Sequence, residues 1–457
     1  MADIKPVIVY GAGISGRGAA QVLAAKGQQV YLYNDNPVSI DKKLEAALAA
    51  VGGSLVIGET AYKKLLTEAA LLVLSPGIAC DSANVVLAEN AGVEVISEVE
   101  LGYRIYNGHI AAITGTNGKT TTTTIVGEMF KRLPVPSAVG GNIGLALSKE
   151  VEHLPDNAWL AAELSSFQLE KVTTFAPDIA VVLNLTPDHM ERHHTMAAYG
   201  AAKQNVFRKQ TASQVTVLNY DDPIVREWAK ETKAQLCYFS RHVVLDNGIY
   251  MKNGDFVISW KGEKHIVCNI SELHLFGGHN EENILAAIAA GFFAGVSISD
   301  MADVLRNFHS IEHRIEYVTT VNGVPYYNDS KATNTDSAIK ALEAFEGGHI
   351  ILLAGGHDKM TPLEDMMNLV REKTDALILL GAAKERFNEA AIKCGVKNII
   401  LANSFEDAVN KAYALAKKPQ VVLLSPACSS FDMFKNYPER GNYFKKLVLA
   451  LKGGKNE

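Results

Sequence analysis

The stretch Ile110-Ala111-Ala112-Ile113-Thr114-Gly115-Thr116-Asn117-Gly118-Lys119-Thr120-Thr121 decides how the rest of the chain is read. Its first five residues predict a buried strand, and Thr120 to Arg132 predict a helix. The loop between them offers backbone N–H groups that can surround phosphate oxygens. A lysine at such a junction supplies charge to the outer phosphates, and a neighbouring hydroxyl supplies a ligand for Mg2+. Lys119 and Thr120 stand in those two places. The general pattern is GxxxxGK followed by Ser or Thr, and here the first glycine is one residue closer to the second. A threonine-rich helix cap built on Thr116 and Thr120 is the plainer alternative, which a Gly-Lys-Thr at a strand–helix junction argues against.

Upstream, a second glycine-rich loop sits at the same kind of junction. Val7–Tyr10 reads as a short strand, Gly11-Ala12-Gly13-Ile14-Ser15-Gly16 as a GxGxxG turn, and the run to Lys26 as a helix. Asp35 ends the next strand, Gln29–Tyr33, where a ribose- or base-binding carboxylate is expected. The obvious reading is a nicotinamide dinucleotide site. Any nucleotide diphosphate satisfies the same loop, and glycines also serve helix–strand packing. Further elements alternate: a helix over Lys42–Val51, a strand at Leu71–Leu74, a helix over Ser82–Asn90 and a strand at Val93–Ile96. That alternation predicts a parallel sheet with helices on both faces.

Downstream of the phosphate loop, Trp159–Leu164 and Ile179–Asn184 predict buried strands, and Thr195–Lys209 a helix. From Val243 to Cys268 the texture changes. Asp246-Asn247-Gly248 and Lys252-Asn253-Gly254 are hairpin-turn signals, so an antiparallel patch is expected there. The apolar run Ile284–Val296 belongs to a helix expected over Asn283–Val296. It falls short of the roughly 18 residues of a membrane span. After a hairpin at Asn322-Gly323, strands at Ile350–Ala354, Ala376–Leu380, Asn398–Leu401 and Val421–Leu424 alternate with helices as a second doubly wound unit.

The 457 residues suggest about three domains. The boundaries drawn are 1–97, 98–310 and 311–457. The fold class expected is α/β: a Rossmann-like first domain, a central phosphate-loop domain with a mostly parallel sheet plus a small antiparallel patch, and a Rossmann-like last domain. A net charge of −6 gives no electrostatic reason to expect a nucleic-acid partner. The five cysteines are scattered without CxxC spacing, so no disulfide framework or zinc finger is expected and a cytoplasmic setting is natural. Residues 1–6 show no secretory signal.

Several side chains carry candidate chemistry. His189-Met190-Glu191-Arg192-His193-His194 fits neither zinc-protease order. His193 and His194 read as a solvent-facing turn, whereas His189 follows a strand end, where ligands bind in such sheets. Glu163, at another strand end, is suited to Mg2+ beside Lys119, with a helix-cap role as its alternative. Lys203, on a rather apolar helix, reads as a snorkelling lysine. In the last segment Asn328–Asn334, Gly355–Lys359 and Ser425–Asp432 bring lysines and hydroxyls to one sheet edge, which suits an anionic small molecule. Cys428 reads as a small buried thiol.

With these motifs in hand, the chain resembles the Mur ligases, the cytoplasmic amide-bond ligases of peptidoglycan synthesis. The shortened loop Gly115–Thr121 carries that likeness. Ser75-Pro76-Gly77, Gly140-Gly141-Asn142-Ile143-Gly144, Glu163–Leu169, Pro187-Asp188-His189, Asn328–Asn334 and Ser425–Arg440 narrow it to the D-glutamate-adding branch. The resemblance runs from about residue 7 to about 447. It implies an ATP-dependent ligase that joins D-glutamate to UDP-N-acetylmuramoyl-L-alanine through an acyl phosphate, releasing ADP and phosphate.

The resemblance also implies site residues. Ile14, Ser15, Asp35, Asn36 and Gly77 would hold the UDP of the substrate rather than NAD, and Asn142 and His189 its sugar end. Pro37 stands where the family often has Arg. Gly115, Thr116, Asn117, Gly118, Lys119, Thr120 and Thr121 would hold the ATP phosphates, and Asn283, Arg314 and Asp329 the rest of ATP. Thr120 and Glu163 match a first Mg2+ site. His189 and Lys203 match a second, with Lys203 carbamylated, which replaces the snorkelling reading. Lys331, Thr333, Lys359, Ser430 and Tyr437 would hold D-glutamate, with Tyr437 where Phe is frequent. Lys119, Glu163, His189 and Lys203 would carry the catalysis. A monomer is the family's usual state.

Three rivals remain open on sequence. A nicotinamide dehydrogenase leaves the Lys119 loop idle. A non-catalytic nucleotide switch leaves the anion-lined last domain idle. A diamino-acid-adding ligase is expected to carry a DNPR-type motif in its last domain, and none is found.

Overall fold

The computed structural model describes residues 5–275, 277–308, 312–345 and 347–453. The expected lack of a leader at residues 1–4 and the domain boundary at residue 311 lie outside the described residues.

The first sheet contains β1 (Val7–Tyr10), β2 (Val30–Asn34), β3 (Ser54–Ile57), β4 (Leu71–Leu74) and β5 (Glu94–Ser97). Their order is β3-β2-β1-β4-β5, and every pairing is parallel. Side chains alternate between the two faces. Val7 and Val9 pack with Leu23, Leu44 and Leu48 on one side, and Ile8 and Tyr10 with Tyr62, Leu66 and Val85 on the other. Burial on both faces goes with continuous apolar runs in β1 and β4.

The second sheet contains β6 (His109–Thr114), β7 (Ser137–Gly141), β8 (Trp159–Glu163), β9 (Ile179–Val182), β10 (Val215–Asn219), β11 (Gln235–Ser240), β12 (Gly248–Lys252), β13 (Asp255–Trp260) and β14 (Glu263–Asn269). The order is β14-β13-β12-β11-β10-β9-β6-β8-β7. Only β12, β13 and β14 pair antiparallel. One expectation is corrected here. Asp246-Asn247-Gly248 is not a hairpin turn, because β11 and β12 pair parallel. The second hairpin of the patch instead turns at Lys261-Gly262, whose φ angles are 51° and 86°. Both residues of this turn type need positive φ, and a lysine there is a poor signal. The helix Gly278–Ala294 buries every residue from Ile284 to Ala290. Among the described residues no helix is long and apolar enough to cross a membrane.

The third sheet contains β15 (Glu316–Val321), β16 (Val324–Asn328), β17 (Ile350–Gly355), β18 (Thr374–Leu380), β19 (Ile399–Leu401) and β20 (Val421–Leu424), in the order β15-β16-β20-β17-β18-β19. It is parallel except for the β15–β16 hairpin. Ile350, Leu352 and Ala354 face one core, and Ile351 and Leu353 the other. The chain forms two compact units. One holds the first two sheets; the other holds the third sheet with Thr186–His194 and Leu273–Glu281.

Two acidic residues pin the helix Glu98–Ile105, which links the first sheet to the second. Glu100 accepts bonds from the backbone N–H groups of Thr173, Thr174 and Phe175 and from the Arg104 guanidinium. Glu98 is buried, with Oε1 accepting from the Ser148 N–H and hydroxyl and Oε2 without a partner. Burial pushes its carboxyl above the ordinary 4.5, against the Ser148 donors. A group that holds its proton more tightly when folded contributes stability below its unfolded value, and loses it as pH rises through the folded value. Glu98→Gln keeps both Ser148 bonds and cannot ionise. It is expected to melt about 2–4 °C above the parent at pH 8, with the gap closing below roughly pH 5. Equal gaps in thermal melts at both pH values would contradict this.

Candidate active site

The phosphate loop follows β6, whose neighbours are β9 and β8. Ile113 pairs with Glu163 at the end of β8, and Thr114 with Val182 at the end of β9. The loop and Glu163 thus share one carboxyl-end edge of the sheet, where ligands bind in doubly wound folds. The helix Lys119–Phe130 begins at Gly118, whose φ is +84°. Its N-cap residue is thus a glycine, which offers no side chain to the first turn. Asn184 clasps the loop: its Oδ1 accepts from the Asn117 N–H at 2.8 Å, its Nδ2 donates to the Asn117 carbonyl, and its carbonyl accepts from the Thr116 N–H.

Two lysines converge on this loop. Lys119 Nζ donates to the carbonyls of Gly115 at 2.9 Å and Thr116 at 2.8 Å. Lys203 Nζ donates to the same Gly115 carbonyl at 2.8 Å and lies over the Tyr199 ring. Lys203 is 1% exposed, so the snorkelling reading is overturned. Its partner is 88 positions away in sequence, and helix periodicity does not show such a contact. Tyr199 donates to the Thr116 hydroxyl. Thr120 and Thr121 are buried at the start of the helix.

Glu163 is 2% exposed. Its Oε1 accepts from Asn142 Nδ2 at 2.8 Å, and its buried Oε2 has no hydrogen-bond partner. It does not cap the next helix; Ser165 does, in a capping box with Gln168. An anionic oxygen buried without a donor fits a cation. Among the described residues no group of three His, Cys, Asp or Glu side chains forms a ready cage. A hard cation here therefore fits a magnesium pattern, with one carboxylate completed by hydroxyl, water and phosphate oxygens.

Asn283 stands on the helix Gly278–Ala294. A Cβ on Gly118 would lie 2.1 Å from Asn283 Oδ1, in a backbone conformation that alanine resists. Gly118→Ala is therefore expected to raise the KM for ATP roughly tenfold by displacing Asn283. An unchanged KM would contradict the expectation that Asn283 contacts ATP.

In the first sheet, a Cβ on Gly16 would lie 1.8 Å from the Gly11 carbonyl, so the GxGxxG turn admits only glycine there. Ile14 is 83% exposed, and Asn36 and Gly77 are also exposed, while Ser15 is half-buried. Asp35 is held rigidly. Its Oδ2 accepts from Tyr10 at 2.6 Å, and its Oδ1 from Tyr33 at 2.7 Å and Asn84 at 2.9 Å. Burial, then the Asp35 carboxylate, pushes the Tyr10 hydroxyl up to about 12.

The second compact unit holds His189, at φ 56°, and the residue before it. Asp188 accepts from Lys359 Nζ at 3.2 Å and Asn334 Nδ2 at 3.0 Å. Burial raises its carboxyl, but the charges of Lys359 and His189 and the Asn334 amide outweigh this and hold it below the usual range. Asp188 had no role from sequence, although it stands in Pro187-Asp188-His189, one of the motifs that carry the resemblance. His193 is buried, which corrects its solvent-facing reading, whereas His194 is exposed. The short helix Met190–His193 turns one side into the fold.

Lys331 Nζ donates to the Tyr437 hydroxyl at 3.1 Å. Thr333 is half-buried just before Asn334, and Ser430 is buried. Asp329 is buried, accepting from Ser425 Oγ at 2.8 Å and the Ile315 N–H. Burial lifts its carboxyl to about 7 despite the nearby Arg314 charge. Arg314 Nε is buried without a hydrogen-bond partner. Cys428 is buried, and burial pushes its thiol up to about 12, so it is no nucleophile near neutrality.

Three family models match the chain: the MurD-like N-terminal domain of Mur ligases over residues 5–97, the Mur ligase middle domain over 113–291, and the Mur ligase glutamate ligase domain over 313–428. The chain belongs to the Mur ligase family and is an ATP-dependent ligase. Relatives from Pelotomaculum thermopropionicum (43% identity, 98% of each chain) and Desulfitobacterium hafniense (43% identity, 97% of each chain) are both named UDP-N-acetylmuramoylalanine--D-glutamate ligase. Solved structures share the fold at lower identity. A pseudomurein peptide ligase type C from Methanothermus fervidus superposes with a TM-score of 0.62 at 17% identity, covering 98% of this chain and 100% of its own. A UDP-N-acetylmuramate-alanine ligase from Thermotoga maritima gives 0.59 at 17% identity, covering 98% and 99%.

Proposed function

We propose that the chain joins the amine of D-glutamate to the alanyl carboxylate of UDP-N-acetylmuramoyl-L-alanine, cleaving ATP to ADP and phosphate. The observation that carries the chemistry is the buried Glu163 carboxylate at the same sheet edge as a loop on which Lys119 and Lys203 converge. The relatives' shared name supports the choice of substrates.

In this reading the substrate carboxylate attacks the γ-phosphorus and expels ADP, giving an acyl phosphate. The amine of D-glutamate then adds to the acyl carbon, and the tetrahedral species expels phosphate. The loop from Gly115 to Thr121 cradles the phosphates, and Lys119 offsets charge that builds on the transferring group. Asn283, Arg314 and Asp329 hold the remainder of ATP. Ile14, Ser15, Asp35, Asn36 and Gly77 hold the UDP. The three donors on Asp35 fix its carboxylate as a preset acceptor. Asn142 and His189 hold the sugar end. Lys331, Thr333, Lys359, Ser430 and Tyr437 hold D-glutamate.

Two Mg2+ ions belong to the proposal, the first on Thr120 and Glu163, the second on His189 and Lys203 with Lys203 as a carbamate. Bound there, they would neutralise phosphoryl oxygens. The same reading takes the chain to act in the cytoplasm as a monomer. Mass analysis of an incubation with ATP, UDP-N-acetylmuramoyl-L-alanine and D-glutamate tests it. A UDP product heavier by one glutamate residue is expected, and recovery of the UDP-substrate unchanged would refute the proposal.

A further inference from the structure

Arg440, in the first turn of the helix Tyr437–Gly453, is 1% exposed. Its Nε donates to Ser330 Oγ at 3.0 Å and one Nη to the Ser330 carbonyl at 2.7 Å. The other Nη donates to the carbonyls of Cys428 at 3.0 Å and Ser429 at 3.2 Å. None of these four acceptors is a carboxylate. All lie in strand-end loops, not in core elements. The helix has its own apolar anchor in Phe444 and Val448, buried in the third sheet's core.

We propose that Arg440 is a positioning residue for the amino-acid site, fastening the loops that carry Lys331, Thr333, Lys359 and Ser430 so that their polar groups converge on D-glutamate. The inference rests on the proposed D-glutamate set. Ser330 immediately precedes Lys331, and Ser429 immediately precedes Ser430. The Lys359 loop joins through a two-way backbone pair, His357 N–H to Ser429 and Ser429 N–H to His357. Ser330 Oγ donates onward to the Tyr437 carbonyl, and Tyr437 in turn receives the Lys331 ammonium. One guanidinium on the helix that bears Tyr437 therefore ties two of the loops directly, and the third through Ser429. A planar fork with five donors can serve four acceptors at once, whereas an ammonium on a flexible stem cannot. Burial lowers the guanidinium to about 10, so it stays charged near neutrality.

The test compares Arg440→Lys and Arg440→Gln with Lys331→Ala and Lys359→Ala in the full chain, with thermal melts alongside. Arg440→Lys is expected to raise the KM for D-glutamate between about tenfold and a hundredfold, leaving the KM values for ATP and the UDP-substrate within about twofold. Arg440→Gln is expected to show the same selectivity with a larger effect. A D-glutamate KM unchanged in Arg440→Lys, while Lys331→Ala raises it, would overturn the role of Arg440 alone. Equal losses for all three substrates, or unfolding of both Arg440 variants at assay temperature, would assign Arg440 to the fold and also overturn the proposal. No effect on D-glutamate from Lys331→Ala or Lys359→Ala would refute the site reading itself.

Discussion

Replacing Lys119 with alanine is expected to lower ATP-dependent phosphate release on the order of a thousandfold, mostly in kcat. The reason is where its charge acts. The ammonium stands over the phosphate loop within hydrogen-bond range of the Gly115 and Thr116 carbonyls. Negative charge spreads over the transferring phosphoryl group as the bond to ADP breaks, so the interaction strengthens toward the transition state. Lys119→Arg should not restore the rate, because a planar fork does not replace a compact ammonium on this loop. Steady-state kinetics decide the matter. A rise in the KM for ATP with kcat intact would mean that Lys119 binds ground state and transition state equally, contrary to the proposal.

The second large effect is expected from Glu163→Gln. Its amide oxygen can still accept from Asn142, so the local bonding survives and only the charge is removed. Activity should fall on the order of a hundredfold, and the Mg2+ concentration for half-maximal rate should rise. Titrating Mg2+ at saturating substrates is the measurement, with partial recovery at high Mg2+ as the expected signature. An unaltered Mg2+ requirement would show that the buried, partnerless Oε2 serves something other than a cation.

Which parts of this molecule sequence made legible follows from burial. β1 and β17 are covered on both faces, so Val7–Tyr10 and Ile350–Ala354 are apolar runs that stand out. β3 is half-buried at a sheet edge, and Ser54–Ile57 offers neither a run nor an alternation strong enough to be noticed. The turns at Asn253-Gly254 and Asn322-Gly323 use residues that favour positive φ, and both were legible. The turn at Lys261 was not. At the site, local motifs announced Lys119, Thr120 and Glu163. Long-range partners did not. Lys203 meets Gly115, and Asp188 meets Lys359 across 171 positions, contacts that only the folded chain creates. The resemblance supplied a role for Lys203 that its apolar helix argued against. For Arg440 neither motif nor resemblance supplied one; its role rests on the four acceptors it reaches.

Phosphate release from ATP and Mg2+ is the direct test of the central claim, measured with and without UDP-N-acetylmuramoyl-L-alanine and with D-glutamate, L-glutamate or a diamino acid in turn. Release that requires both the UDP-substrate and D-glutamate, and that falls away with the other amino acids, is the expected result. Release supported equally by another amino acid, or by ATP alone, would contradict it.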